Sequence, residues 1–195
     1  MEFLSDLEKA LHHGNAPVAV ALTDLDGFAG INDTFGSDAG DRVLAAWERL
    51  LDANVTKVGA AYRLGGDEYA VVLPGMSAEN ALVLLDEIRT HFAERRVDGV
   101  DAAVSASVGV ASQPPHGSTA EELFRASGEA LMRAKRDGRD RVALYVEEKM
   151  TLKSNYYSRA NLDRLAKLST STSRTEASLL REALDDLLEK YRDAL

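Results

Sequence analysis

Arg63-Leu64-Gly65-Gly66-Asp67-Glu68-Tyr69 is the stretch that decides the fold. Short apolar runs flank it at 60–64 and 69–73, and a Gly-Gly pair supplies the positive φ angles that a tight turn demands. The expected element is a hairpin with two adjacent carboxylates at its tip. Upstream, Val18-Ala19-Val20-Ala21-Leu22 is a continuous apolar run of the kind buried on both faces of a sheet. It ends in the polar Thr23-Asp24-Leu25-Asp26-Gly27, and chemistry tends to sit at such strand ends. Working outward, the apolar spacing predicts helices over 1–13, 41–51, 78–94 and 120–136, a strand over 102–111 and an edge strand over 141–146. Residues 36–40 read as a turn region. The order is mixed β and α, which predicts an α/β (α+β) domain with helices flanking a mixed sheet.

Composition bounds the partners. The chain has 195 residues, 45% hydrophobic and 28% charged, with no apolar run near the roughly 20 residues that cross a bilayer. There is no cysteine and no basic-then-apolar leader, so a soluble protein of the reducing cytoplasm, without a membrane partner, is expected. The net charge of −9 is unevenly spread: residues 1–146 hold 14 Lys+Arg against 23 Asp+Glu, and 147–195 hold nine against nine. Within the tail, 149–175 carries six basic side chains and one acid, Asp163. The expected organisation is one domain over 1–146, a linker at 147–151 and a small module over 152–195. The four histidines lack metal-ligand spacing and are expected at the surface, and Trp47 in the core.

Phosphoryl transfer needs carboxylates to hold metal, backbone amides around phosphate, and cations on the outer oxygens. Asp24 and Asp26 alternate at a strand end beside Gly27, and Asp67 and Glu68 occupy the hairpin tip. Hard oxygen donors suit Mg2+ or Mn2+. The backbone at Gly27 and Phe28 is expected to meet phosphate, and Lys135 and Arg139, four apart at a helix end, are expected to share a face and reach the same triphosphate. Read singly, each residue also has an ordinary role. The Asp residues are also solvated turn residues, Asn32-Asp33 a turn, Asp41 a helix N-cap, and Lys135 and Arg139 complements to a helix dipole.

Taken in order, the segments 24–28, 31–33, Gly36, Gly40-Asp41, 63–69, 107–111 and 130–139 resemble the GGDEF domain of diguanylate cyclases across roughly residues 1–146. That resemblance implies a palm-like mixed sheet flanked by helices. It implies Asp24 and Asp67 as metal ligands with Glu68 adjoining, Asp67 or Glu68 helping to activate a 3′-hydroxyl, Asn32 and Asp41 on the guanine edge, and Lys135 and Arg139 on phosphates. An Asp accepting from the guanine N1 and N2 donors rejects adenine. The chain departs from the family pattern at Tyr69 (usually Phe), Ala29 (Lys), Ser37 (His) and Met132 (Tyr). Thr56 and Gly59 stand where the family's inhibitory Arg-x-x-Asp would be, so product inhibition at that place is not expected. No sensor module is expected ahead of the domain.

In the tail, 151–157 is expected to form a strand, followed by a helix around Leu162, Leu165 and Leu168, a polar break over 169–173 and a second helix. Ser173 and Glu176 fit a capping box. Residues 151–192 resemble a ribbon-helix-helix DNA-binding domain, which implies a homodimer through this module and operator DNA as partner. In that reading Lys153, Asn155 and Tyr157 face the bases, and Ser173 and Arg174, at the second helix N-terminus, meet phosphate. A purely dimerising helical hairpin is the plainer alternative. The combined expectation is a dimeric transcription regulator that either joins two GTP into cyclic di-GMP or senses such nucleotides.

Overall fold

In the computed structural model the described residues are 2–13, 16–147, 156–172 and 174–192. The chain divides into two compact units, 1–148 and 149–195.

The first unit is built on one five-stranded sheet of order β2-β3-β1-β4-β5. The strands are β1 (Val18–Leu25), β2 (Ala60–Gly65), β3 (Glu68–Pro74), β4 (Ala106–Gln113) and β5 (Val142–Leu144). All neighbours are antiparallel except β4 and β5. β1 is central and buried along its whole length, as its unbroken apolar run requires. Ala19, Ala21 and Leu25 face one layer, formed by α2 (Phe28–Phe35), α3 (Ser37–Val55) and α4 (Ala78–Ala93). Val18, Val20 and Leu22 face the other, formed by α1 (Glu2–His12) and α5 (Ala120–Arg136). Trp47 is fully buried, donates to Thr23 Oγ1 at 3.1 Å and packs edge-on to Phe92, which pins α3 to β1.

The hairpin stands where expected: β2 and β3 pair antiparallel around a Gly66-Asp67 turn. Gly66 has φ 54, a conformation that costs glycine nothing. Arg63 donates from Nε and Nη2 to the Gly66 carbonyl at 3.0 and 2.7 Å, bracing the tip.

Several expectations need correction. The segment after Gly27 is a helix, α2, so the turn reading of Asn32-Asp33 fails. α3 begins at Ser37, which absorbs most of the 36–40 turn region and puts Asp41 inside the helix rather than at its cap. The strand expected over 102–111 starts at Ala106. His116 is half-buried, with Ser112 N donating to its Nδ1 at 3.1 Å, and burial pulls its pKa down.

Tyr69 is 1% exposed, and its hydroxyl has no hydrogen-bond partner among the described residues. Burial pushes its pKa up. A buried hydroxyl without a partner costs free energy that a phenyl ring avoids, so Tyr69→Phe should stabilise the domain by about 1 kcal/mol in urea denaturation. A clear loss of stability would show that the hydroxyl is satisfied.

In the second unit the helices are α6 (Arg159–Thr172) and α7 (Glu176–Lys190). α6 runs through most of the expected polar break. The residue preceding α7 is Thr175, whose Oγ1 accepts from Ser178 N at 3.2 Å; Ser173, the expected cap, lies outside the described residues. Of the expected strand, 151–155 also lies outside them, Lys153 and Asn155 included, while Tyr156 and Tyr157 are not in a strand.

Candidate active site

The β1 alternation that buries Val20 and Leu22 against α5 carries Asp24 to the same face. Asp24 lies opposite Glu68 in the β1–β3 register, which sets their Cβ atoms roughly 5 Å apart. On its other side it faces Ser107 of β4. Asp24 is only 8% exposed, and its Oδ2 meets Lys135 Nζ of α5 at 2.7 Å. Burial raises the Asp24 pKa; Lys135 opposes that shift, and Asp67 and Glu68 add to it by repulsion. Asp67 is half-buried at the turn and Glu68 exposed beside it. The three acids are therefore neighbours in one field.

They are not a ready-made metal cage. Among the described residues no group of three or more His, Cys, Asp or Glu side chains is placed to hold an ion. Asp67, half-buried beside the largely buried Asp24, leaves room for the water and substrate phosphates with which Mg2+ or Mn2+, which dehydrate reluctantly, complete their shell. The donors present fit such an ion.

Asn32 of α2 and Asp41 of α3 come from the opposite layer. The Asn32 amide lies against Gly40, filling the space where a Cβ would stand, so Asn32 sits beside the residue preceding Asp41. Gly27 and Phe28 lead into the N-terminus of α2, whose first amides are free to face an anion.

Lys135 and Arg139 do not share a helical face. α5 ends at Arg136, Gly138 takes φ 113, and Arg139 N bonds back to the Ala134 carbonyl at 3.0 Å, a Schellman closure. Arg139 therefore stands exposed in the loop beyond the helix.

Asp26 does not repeat Asp24. β1 ends at Leu25, and Asp26, past its end, accepts from Ser105 Oγ (2.9 Å), Ser107 Oγ (2.7 Å) and the Asp140 backbone N–H (3.0 Å). Sequence reasoning gave no role to Ser105, Asp140 or Arg89, which hold this corner together. Their only sequence signal is polarity near element ends.

In the second unit Arg174 is paired with Glu182 and donates to Ser178. Tyr157 is 48% exposed.

The family described as "Diguanylate cyclase, GGDEF domain" matches residues 2–141. Among characterised proteins, the response regulator PleD of Caulobacter vibrioides is 34% identical over 143 residues, covering 71% of this chain and 32% of PleD. Diguanylate cyclase DgcM of Escherichia coli is 38% identical over 124 residues, covering 64% of this chain and 30% of DgcM. The chain thus spans about a third of the length of these curated relatives. Among solved structures, the active GGEEF domain of a diguanylate cyclase from Vibrio cholerae superposes with a TM-score of 0.71 at 30% identity, covering 75% of this chain and 96% of that one. The GGDEF domain of DgcB from Caulobacter crescentus, in complex with c-di-GMP, gives 0.69 at 28% identity, covering 73% and 88%. With the sheet order, the hairpin and its acids in place and 140 consecutive residues matched, the chain belongs to the diguanylate cyclase GGDEF domain family.

Proposed function

We propose that the first unit binds GTP with Mg2+ or Mn2+ and, facing a second copy, joins two GTP into cyclic di-GMP and two pyrophosphates. The observation that carries this reading is Asp24: a largely buried carboxylate opposite Glu68, with Lys135 as its counter-charge. Burying an ionised acid is costly, and such an expense is expected where charge has work to do. Asn32 and Asp41 would take the guanine edge, and Gly27, Phe28, Lys135 and Arg139 the phosphates. Asp24 and Asp67, with Glu68 adjoining, would hold the cation, which when bound neutralises phosphate charge and polarises the α-phosphoryl group. In each half-reaction the 3′-oxygen of one GTP bonds to the α-phosphorus of the other, the bond to the β-phosphate oxygen breaks, and pyrophosphate leaves. Asp67 or Glu68 would accept the hydroxyl proton. Two domains must face each other about a two-fold axis for both bonds to form.

For 149–195 we propose a ribbon-helix-helix module that pairs with a second copy and binds operator DNA. Support comes from α6, which buries none of its residues, and from Leu184, Leu187 and Leu188 of α7, which are about half exposed. The basic residues of 149–174 suit phosphate contacts. Lys153, Asn155 and Tyr157 would read bases, and Ser173 and Arg174 would meet phosphate once Arg174 exchanges Glu182 for DNA. Pairing here would raise the effective concentration of one nucleotide domain for the other.

The test is incubation of the purified protein with GTP and Mg2+. Cyclic di-GMP and pyrophosphate are expected. Bound GTP without product would leave a nucleotide sensor, a reading favoured by the order of the units, in which the nucleotide domain precedes the DNA-type module. Lys153→Ala with Asn155→Ala should weaken DNA binding without dissolving the dimer; unchanged DNA affinity would leave dimerisation as the module's role. Among the described residues no helix is long and apolar enough to cross a membrane.

A further inference from the structure

The loop after α5 adopts a conformation that its side chains do not favour. Arg139 has φ 62 and Asp140 φ 45, two successive non-glycine residues in the left-handed region. Such strain persists only where the surroundings over-determine it, and here two clamps do so. The first holds the backbone: Asp140 N donates to Asp26 Oδ2, and the same carboxylate accepts from Ser105 and Ser107. The second holds the side chain: Arg89 Nη1 of α4 donates to Asp140 Oδ1 at 2.6 Å. Arg89 is itself fixed by Asp86 at 2.9 Å and Thr90 at 3.0 Å, and its side chain is 15% exposed. Beyond the loop, Val108 N donates to the Arg141 carbonyl at 2.9 Å, so both ends of the segment are tied to the β4 side of the sheet.

The carboxylate of Asp26 has a second consequence. Asp26 immediately precedes Gly27 and Phe28, so one side chain joins the loop entering α2 to the loop leaving α5. These two segments carry groups assigned to phosphate, the backbone at Gly27 and Phe28 and the side chain of Arg139. The link between them is the hydrogen bond from Asp140 N to Asp26 Oδ2 at 3.0 Å.

We infer that Arg89 is a positioning residue for nucleotide: through Asp140 and Asp26 it locks the left-handed loop that carries Arg139 to the segment that leads into Gly27 and Phe28. Arg89 touches no substrate. Its contribution is to fix the distance between two phosphate-facing elements before nucleotide arrives, which lowers the ordering cost of binding. This inference rests on the assignment of those elements to GTP.

The test uses the whole chain with Arg89→Gln, Asp140→Asn and the double variant, read three ways. In the nucleotide-free protein, hydrogen exchange at the Asp140 amide should quicken about tenfold in Arg89→Gln, as expected when a clamping partner is lost. By calorimetry with GTP and Mg2+, affinity should fall about tenfold while the melting temperature stays close to wild type, a split that a merely structural role would not produce. The double variant should lose no more affinity than the worse single variant, because both act through one contact. An unchanged Asp140 amide, or additive losses, would overturn the inference. GTP uptake that Arg89→Gln leaves within twofold of wild type would sink the positioning role alone. Failure of the wild-type protein to take up GTP, with its Asp140 amide protected, would instead sink the nucleotide reading.

Discussion

Asp24→Asn should abolish metal-dependent GTP uptake and lower GTP condensation by at least about a thousandfold, since it removes a charge aimed at the reacting phosphates. The same change should leave the nucleotide-free protein at least as stable as wild type near neutral pH. The sign follows from the Asp24 environment. Burial raises its pKa, Lys135 opposes the rise, and repulsion from Asp67 and Glu68 adds to it. An acid whose folded pKa lies above its unfolded value contributes stability that is fully present below the unfolded pKa and is lost as pH rises through the folded one. Ionised Asp24 is therefore a net cost at neutrality, which asparagine removes. The stability advantage of Asp24→Asn should be largest near pH 7 and should shrink as pH falls toward the ordinary aspartate range. Thermal melts of both proteins across that span, with calorimetric titration of GTP in the presence and absence of Mg2+, check both halves. A variant that still binds GTP with Mg2+ dependence would end Asp24's proposed role at the metal.

Gly109→Ala should produce the largest loss of stability of any single methyl added to the sheet. Gly109 lies in β4 opposite Leu22 of β1, directly beneath α5. A Cβ there would fall on the backbone N of Leu131 and the backbone carbonyl of Ser127, and neither can turn aside as a side-chain tip would. The helix must lift from the sheet, at a cost of about 3 kcal/mol, or roughly 10 °C in melting temperature for a domain of this size. The consequence reaches the site, because Lys135 sits one turn beyond Leu131 on the same helix and meets Asp24 only at the present helix-to-sheet distance. GTP affinity should fall along with stability. A variant that melts within 2 °C of wild type, on that same scale, would show that α5 can slide aside cheaply.

Some of this was legible without coordinates because it is local. The hairpin rests on two glycines between apolar runs, and the central strand on five consecutive apolar residues. α2 was not legible. It is eight residues long and contains Gly30, with little intrinsic reason to be helical; it is held because Phe28, Ile31 and Phe35 pack into the layer beneath α3. The shared face imagined for Lys135 and Arg139 failed because Gly138 closes the helix between them, and helical period has no meaning past a cap.

The sequence by itself determined which chemical groups are available: two acids on a tight turn, one acid at the end of a buried strand, and two cations near the close of a helix. Turn chemistry and apolar alternation act over a few neighbours and can be read from them. Only the tertiary structure decided how those groups are used, bringing Lys135 to Asp24, tying Asp26 to its two serines, and seating Asp140 on Arg89. Those partners lie far apart along the chain, and no periodicity links residues whose meeting depends on how helices settle on a sheet.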